Sequence, residues 1–241
     1  MDNTSSESNN IIYHLIQKPE QCLYDAFNML MFDKTNLVIQ KLITKITIYN
    51  NVKDLYGDIL EFGVFKGASL ALWLQLKKMY EPNSSTKIIG FDFYNCSNTL
   101  SSLNENDQNI TLMKEVLSRV DENDLDINNI KKKCDNILDN STILIKGDAS
   151  LTSKEFNNNN PGARIKLLYL DMDVEEPTYN VLHNLWDKVV IGGQIILDEY
   201  GHHKWDESNG ADKFLKKIPN KYKLTCTNVS APTLIITKLE L

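Results

Sequence analysis

Four acids close the stretch YLDMDVEEP: Asp171 and Asp173 follow the apolar run Ile165 to Leu170, and Glu175 and Glu176 come directly after. Like charges at such spacing raise one another's pKa unless a cation or a proton is shared. A second acidic pair, Asp198 and Glu199, ends the apolar run of QIILDEYG. Neighbouring strands lie about 5 Å apart, so if these two runs are adjacent strands their terminal carboxylates converge. Hard oxygen ligands in that number suit Mg2+, Mn2+ or Ca2+, whereas no Cys/His set suggests zinc. Asp171, Asp198 and Glu199 are therefore the candidate metal ligands. For Glu175, Glu176 and Asp187 a helix-start or solvated role is the simpler reading.

Three earlier runs also end in residues with chemistry. In ILEFGVFKGASL, Gly63 and Gly67 let backbone approach a ligand beyond the carboxyl end of a strand, and Glu61 can accept hydrogen bonds from a ligand's ammonium or from its own loop. Their Gly-x-x-x-Gly spacing is not the dinucleotide-binding pattern, and a plain tight turn explains it equally well. Asp92 ends IIGFD, where a carboxylate can take both hydroxyls of a ribose or cap its loop, and Asp148 with Ala149 follows Gly147 where an adenine amino group would lie. His202 and His203 fall in the loop after the second acidic pair. An imidazole there can contact an acceptor's phosphate or assist as a base, or can simply be a solvated loop residue. His183 reads as a helix residue, and Trp73 and Trp186 as core.

The elements that must position these residues alternate. Strands are expected at Asp58 to Phe62, Lys87 to Asp92, Thr142 to Lys146, Ile165 to Asp171 and Gln194 to Glu199. Helices are expected at Ala68 to Tyr80, within Asn109 to Leu138, around Ser150 to Phe156, and at Pro177 to Val189 and Ala211 to Ile218. Two last β-like runs, Tyr222 to Thr227 and Pro232 to Lys238, are joined too tightly for a helical crossover and must be antiparallel. The fold class is thus α/β: a doubly wound, Rossmann-like, mostly parallel seven-stranded sheet with an antiparallel last strand, plus N-terminal helices. Residues 1–10 read as a disordered tail, 11–55 as an N-terminal helical layer, and 56–241 as the catalytic domain.

The 241 residues carry a net charge of -6 and no basic run longer than Lys131 to Lys133, which makes nucleic acid a poor partner. No apolar segment approaches the length of a membrane span. Cys22, Cys96, Cys134 and Cys226 are scattered and follow a polar, acidic N-terminus, so reduced thiols and a cytoplasmic location are expected. Asn157 to Asn160 reads as a solvated loop. Leu23 to Val52 is apolar enough to cover a sheet edge or to pair with a second copy, so a homo-oligomer is an open expectation.

Five parallel strands and a closing hairpin resemble the plan of class I methyltransferases, which use S-adenosylmethionine. In order along the chain, EFGVFKGAS, FDFYN, LYLDMDVEEPTYNVL, VVIGGQIILDEYG and GADKFL resemble the macrocin O-methyltransferase family of metal-dependent sugar methyltransferases, over roughly Tyr56 to Leu215. The resemblance implies transfer of a methyl group from S-adenosylmethionine to a hydroxyl of a small-molecule sugar. By position it implies that Glu61, Gly63, Gly67, Ser69, Asp92, Asp148 and Ala149 hold the cofactor, with Asp171 beside it. Asp171, Asp198 and Glu199 would bind Mg2+ or another divalent cation, and Asp173 would be the general base; the catalytic candidacy of His202 comes from its loop position alone. LYLDMDV also fits an Asp-x-Asp glycosyltransferase using a nucleotide sugar, or a haloacid-dehalogenase-like phosphatase. The phosphatase motif belongs on a first strand, and a glycosyltransferase leaves EFGVFKGAS and the hairpin unexplained. A non-catalytic binding domain of the same fold is the remaining alternative.

Overall fold

The apolar runs assemble into one sheet because each is too short and too apolar to be satisfied alone. The structure, a computed structural model, describes residues 19–101 and 109–240. The expected tail at 1–10 lies outside the described residues. The chain divides into two compact units between Ile43 and Thr44. The first contains helix α1 (Pro19–Met31) and the start of α2 (Leu37–Val52), and Leu23, Tyr24, Phe27 and Phe32 are exposed on it.

The second unit holds everything that carries the site. Strand β1 (Asp58–Phe62) leads to α3 (Ala68–Tyr80) and β2 (Ile88–Asp92). Four short helices follow: α4 (Cys96–Ser101), α5 (Asn109–Leu117), α6 (Glu122–Leu125) and α7 (Ile127–Ile137). Then come β3 (Thr142–Lys146), α8 (Ala149–Asn159), β4 (Ile165–Leu170), α9 (Glu175–Leu185), β5 (Val189–Leu197), α10 (Glu207–Leu215), β6 (Tyr222–Cys226) and β7 (Leu234–Lys238). The seven strands order as β3-β2-β1-β4-β5-β7-β6. β7 alone runs antiparallel to both its neighbours, β5 and β6. The order reverses between β1 and β4, which places a crevice beyond their carboxyl ends.

Strand parity assigns side chains to two layers. Leu60, Phe62, Leu168, Leu170, Ile195 and Leu197 pack against Phe156, Val181, Leu185 and Phe214 of α8, α9 and α10. Ile59, Leu167, Tyr169 and Ile196 pack on the other face against Ile48, Tyr49, Trp73, Leu74 and Ile130 of α2, α3 and α7. Each such fully buried large side chain contributes about 1.5–3 kcal/mol. Several buried polar groups are paired: Lys166 reaches Glu81 at 2.6 Å, Tyr49 donates to the same carboxylate at 2.5 Å, and Lys238 donates to the carbonyls of Trp186 and Val189 at 3.0 and 2.9 Å.

The run Asn157 to Asn160, expected as a solvated loop, is instead helical through Asn159, with Asn160 as the C-cap of α8. Several boundaries also differ from the pattern in the sequence. β5 begins at Val189 and runs through Gly192 and Gly193, because the register against β4 jumps from Ile165 opposite Val189 to Leu167 opposite Gln194 and absorbs the extra residues. α9 begins at Glu175, so Glu175 and Glu176 lie in its first turn, where negative charge meets the positive end of the helix dipole. α10 begins four residues before the expected Ala211.

Helix α10 lies close on α9 because Gly210 lacks a side chain: a Cβ there would meet the Glu175 carbonyl oxygen at 2.2 Å and the Tyr179 nitrogen at 3.0 Å. Alanine is the better helix former by nearly ~1 kcal/mol, so an isolated helix would gain from Gly210→Ala. In the folded protein the contact with backbone dominates, and Gly210→Ala should lower stability by about 1–3 kcal/mol in urea denaturation.

Candidate active site

The ends of β1 to β4 open onto a cavity of about 970 Å3. The β1–α3 loop enters it through Gly63, at φ +90, where a Cβ would lie 1.8 Å from the Asp171 carbonyl oxygen. Only glycine lets the two strand ends close to this distance. The Asp92 carboxylate then fixes the loop: Oδ2 accepts from the Val64 and Phe65 amides at 2.8 and 3.0 Å, and Oδ1 accepts from the Tyr94 amide at 2.9 Å. Asp148 caps α8 through the Ser150 and Leu151 amides at 2.7 and 3.4 Å. These two acids thus organise the cavity wall while still lining it.

At the β4 end, Asp173 sits in the left-handed region at φ 66, a conformation aspartate tolerates better than most residues but still at some strain. Its carbonyl accepts from the Asp206 amide at 3.0 Å, which ties it to the start of α10. Of the residues the sequence singles out for cofactor, metal or catalysis, Gly63, Asp92, Asp148, Ala149, Asp171 and Asp173 line the one cavity, and Glu175 and Glu176, expected as helix-start residues, line it with them.

The others do not line it, for identifiable reasons. Glu61 is 1% exposed and points into the α2/α3 layer, where the Trp73 indole donates to its Oε2 at 2.7 Å. Burial pushes its carboxyl up to about 7, against the opposing effects of Lys45, Trp73 and Ser69. The Ser69 hydroxyl accepts from Lys45 at 2.6 Å. Gly67 lines a separate cavity of about 140 Å3 beside Ile130 and Cys134. Asp198 is buried and accepts a hydrogen bond from the Tyr169 hydroxyl. Burial first, and then the charges of Asp198 and Asp171, push the Tyr169 phenol up. Glu199 follows in a loop clasped by Glu207, whose Oε2 accepts from the Glu199 amide at 2.8 Å. His202 is exposed, its imidazole accepting from the Lys204 amide at 3.3 Å.

Two residues escaped the sequence pattern. Glu207 reads as part of a polar loop, yet it is fully buried. Burial above all, reinforced by Asp171, Asp173 and Asp198, pushes its carboxyl well up despite the opposing Glu199 amide. Lys45 sits among Ile48, Tyr49 and Val52, the buried stripe of α2, and a lysine at that helical spacing is the signal that could have exposed it.

The family model for macrocin O-methyltransferase matches residues 29–217. The chain belongs to the macrocin O-methyltransferase family. No curated protein sequence matches it significantly. Among solved structures the fold is similar to CalS11, described as a calicheamicin methyltransferase, at 21% identity over 99% of this chain and 94% of that one, with a TM-score of 0.68. It is also similar to the O-methyltransferase NovP, at 16% identity over 84% and 81% of the two chains and a TM-score of 0.65. An rRNA methylase from Streptococcus thermophilus shares the fold at 12% identity, 83% and 97% coverage and a TM-score of 0.51, so the architecture alone does not choose the acceptor.

As a macrocin O-methyltransferase family member the protein is an S-adenosylmethionine-dependent methyltransferase, and the glycosyltransferase and phosphatase readings of LYLDMDV fall away. No described helix is long and apolar enough to cross a membrane. The divalent cation that the resemblance implies finds the right donor chemistry in Asp171, Asp198 and Glu199, and the buried Glu207 Oε1 close by has no hydrogen-bond partner. Their spacing does not match: among the described residues no three His, Cys, Asp or Glu side chains are placed to hold one ion. Asp92 offers the most direct test of the cofactor side. Asp92→Asn presents an amide N–H to one of its three backbone donors and should weaken S-adenosylhomocysteine binding by about 10- to 100-fold in calorimetry.

Proposed function

We propose that this macrocin O-methyltransferase family member methylates a hydroxyl of a sugar, carried on a nucleotide or on a glycosylated small molecule, with Asp173 as general base. The observation that carries the reading is the single cavity joining the loop-ordering acids, Asp92 and Asp148, to Asp171 and Asp173. Cofactor and acceptor can lie side by side in such a space. CalS11 is described as a TDP-rhamnose 3'-O-methyltransferase, which supports a sugar as the acceptor class.

In the proposed reaction the acceptor oxygen attacks the sulfonium methyl carbon in line with the departing sulfur. The C–O bond forms as the C–S bond breaks, and sulfur leaves with the bonding pair as the neutral thioether of S-adenosylhomocysteine. The hydroxyl proton passes to the Asp173 carboxylate. Glu61, Gly63, Gly67, Ser69, Asp92, Asp148 and Ala149 form or support the cofactor side, and holding the two reactants in line supplies much of the rate. His202 stands in the loop after Glu199, where an acceptor's phosphate or a second proton carrier would meet it.

Asp173→Asn should keep S-adenosylhomocysteine affinity and lower methyl transfer to a panel of nucleotide-linked sugars by about 100-fold or more, followed by mass shift. Unchanged turnover would assign the base elsewhere, and cofactor binding without turnover on any sugar by the wild-type chain would favour a binding domain. Because Asp171, Asp198 and Glu199 are not gathered round one point, turnover should survive treatment with EDTA followed by dialysis; loss of activity on chelation with recovery on added Mg2+ would return a cation to the mechanism.

A further inference from the structure

The pleat places three polar side chains on the α2/α3 face of the sheet, directly beneath the proposed site. Glu61 and Tyr169 are register partners on β1 and β4. Asp198 lies two residues beyond Ile196, the register partner of Tyr169 on β5, and accepts from the Tyr169 hydroxyl. Glu61, Tyr169 and Asp198 are all at most 1% exposed. Two acids in such an interior require a nearby positive charge or a bound proton.

The charge comes from Lys45 on α2, itself 3% exposed. Its ammonium donates to the Ser69 hydroxyl at 2.6 Å and stands 4.1 Å from the centroid of the Tyr169 ring and 5.7 Å from that of Trp73. A desolvated ammonium over an aromatic face is held by about 2 kcal/mol or more, so the ring is held at its face by Lys45 and at its hydroxyl by Asp198. On the other branch, Ser69 and Trp73 both hydrogen-bond Glu61, and the Lys45 charge favours its ionised form. One cation therefore touches two chains of contacts. The first runs through Tyr169 to the acidic end of β5. The second runs through Ser69 to Glu61, two residues before the glycine that admits the cofactor loop.

We infer that Lys45 is a positioning residue for methyl transfer, setting the arrangement of Glu61 beneath the cofactor loop and of Asp198 through Tyr169. This rests on the proposed methyl-transfer site and adds to it a residue on a helix that lines none of the cavity. Bare removal of a core group would weaken ligand binding by one factor at every pH. Removal of a counter-charge acts through Glu61, whose other charged or titratable neighbours are Asp198 just after β5, Tyr169 on β4, Tyr94 after β2 and Cys134 on α7.

The test is S-adenosylhomocysteine affinity by calorimetry from pH 6 to 9, with turnover measured alongside, for wild type, Lys45→Met, Lys45→Arg and Ser69→Ala. Ionised Glu61 is the organising form, so affinity should be full above its midpoint and fall as pH drops through it. Loss of the neighbouring cation should move that midpoint upward by about one pH unit or more in Lys45→Met, with arginine restoring it and Ser69→Ala moving it in the same direction by less. Turnover of Lys45→Met at saturating cofactor should fall by about 10-fold or more, because Tyr169 and Asp198 also lose their support. An unchanged midpoint in Lys45→Met would overturn the inference. If that variant does not fold, an unchanged midpoint in Ser69→Ala would do so. A wild-type chain that binds no S-adenosylhomocysteine would remove the underlying reading as well.

Discussion

Everything at the carboxyl ends of the parallel strands depends on how closely β1 and β4 approach at Gly63. The space a methyl group would fill there is already taken by the Asp171 carbonyl. Because the two strands meet without a side chain between them, the loop that follows β1 and the acids that follow β4 share one cavity. Asp92 completes the closure from β2 by accepting from the two amides just past Gly63. Hydrogen bonds to a charged acceptor are worth roughly twice neutral ones, so one carboxylate holds the turn that the glycine makes sterically possible.

The acids at the strand ends are sorted by the pleat rather than gathered at one point. Asp171 and Asp173 face the cavity. Asp198 lies on the opposite face of the sheet with Glu61, where Tyr169 and the Lys45 ammonium compensate them. Glu207 occupies a third environment, buried at the start of α10 with one oxygen on the Glu199 amide. Dispersal of this kind lowers the mutual repulsion of a set of carboxylates.

Much of this was legible in the sequence for a simple reason. Strand ends are marked by apolar runs that stop at Gly or Asp, as in ILEFG, IIGFD, ILIKGD and LLYLD, and a parallel sheet puts all of those ends on one edge. Gly63, Asp92, Asp148, Ala149, Asp171 and Asp173, six of the residues that line the cavity, came from that rule. What escaped it depends on tertiary pairing. VVIGGQ carries two glycines that read as a turn, but the register jump against β4 keeps them in the strand. DESNG reads as loop, but the Glu199 amide and the missing Cβ of Gly210 draw it into a buried helix start. Lys45 falls on an apolar stripe, and only the positions of Ser69 and Tyr169 reveal why a charge is tolerated there.

The long connection between β2 and β3 supplies a different part of the cavity: Phe93, Thr99, Met113, Val116, Leu117 and Leu125 form a largely apolar wall facing the strand-end acids. Wall and acids therefore belong to separate stretches of chain with separate constraints. The acids are locked by sheet register and by backbone donors, whereas the wall is carried on helices of four to nine residues that no strand pairing holds in place. Substitution at these six wall positions changes the shape of the cavity while the strand-end acids keep their backbone donors, which makes this wall the part of the cavity free to vary on its own.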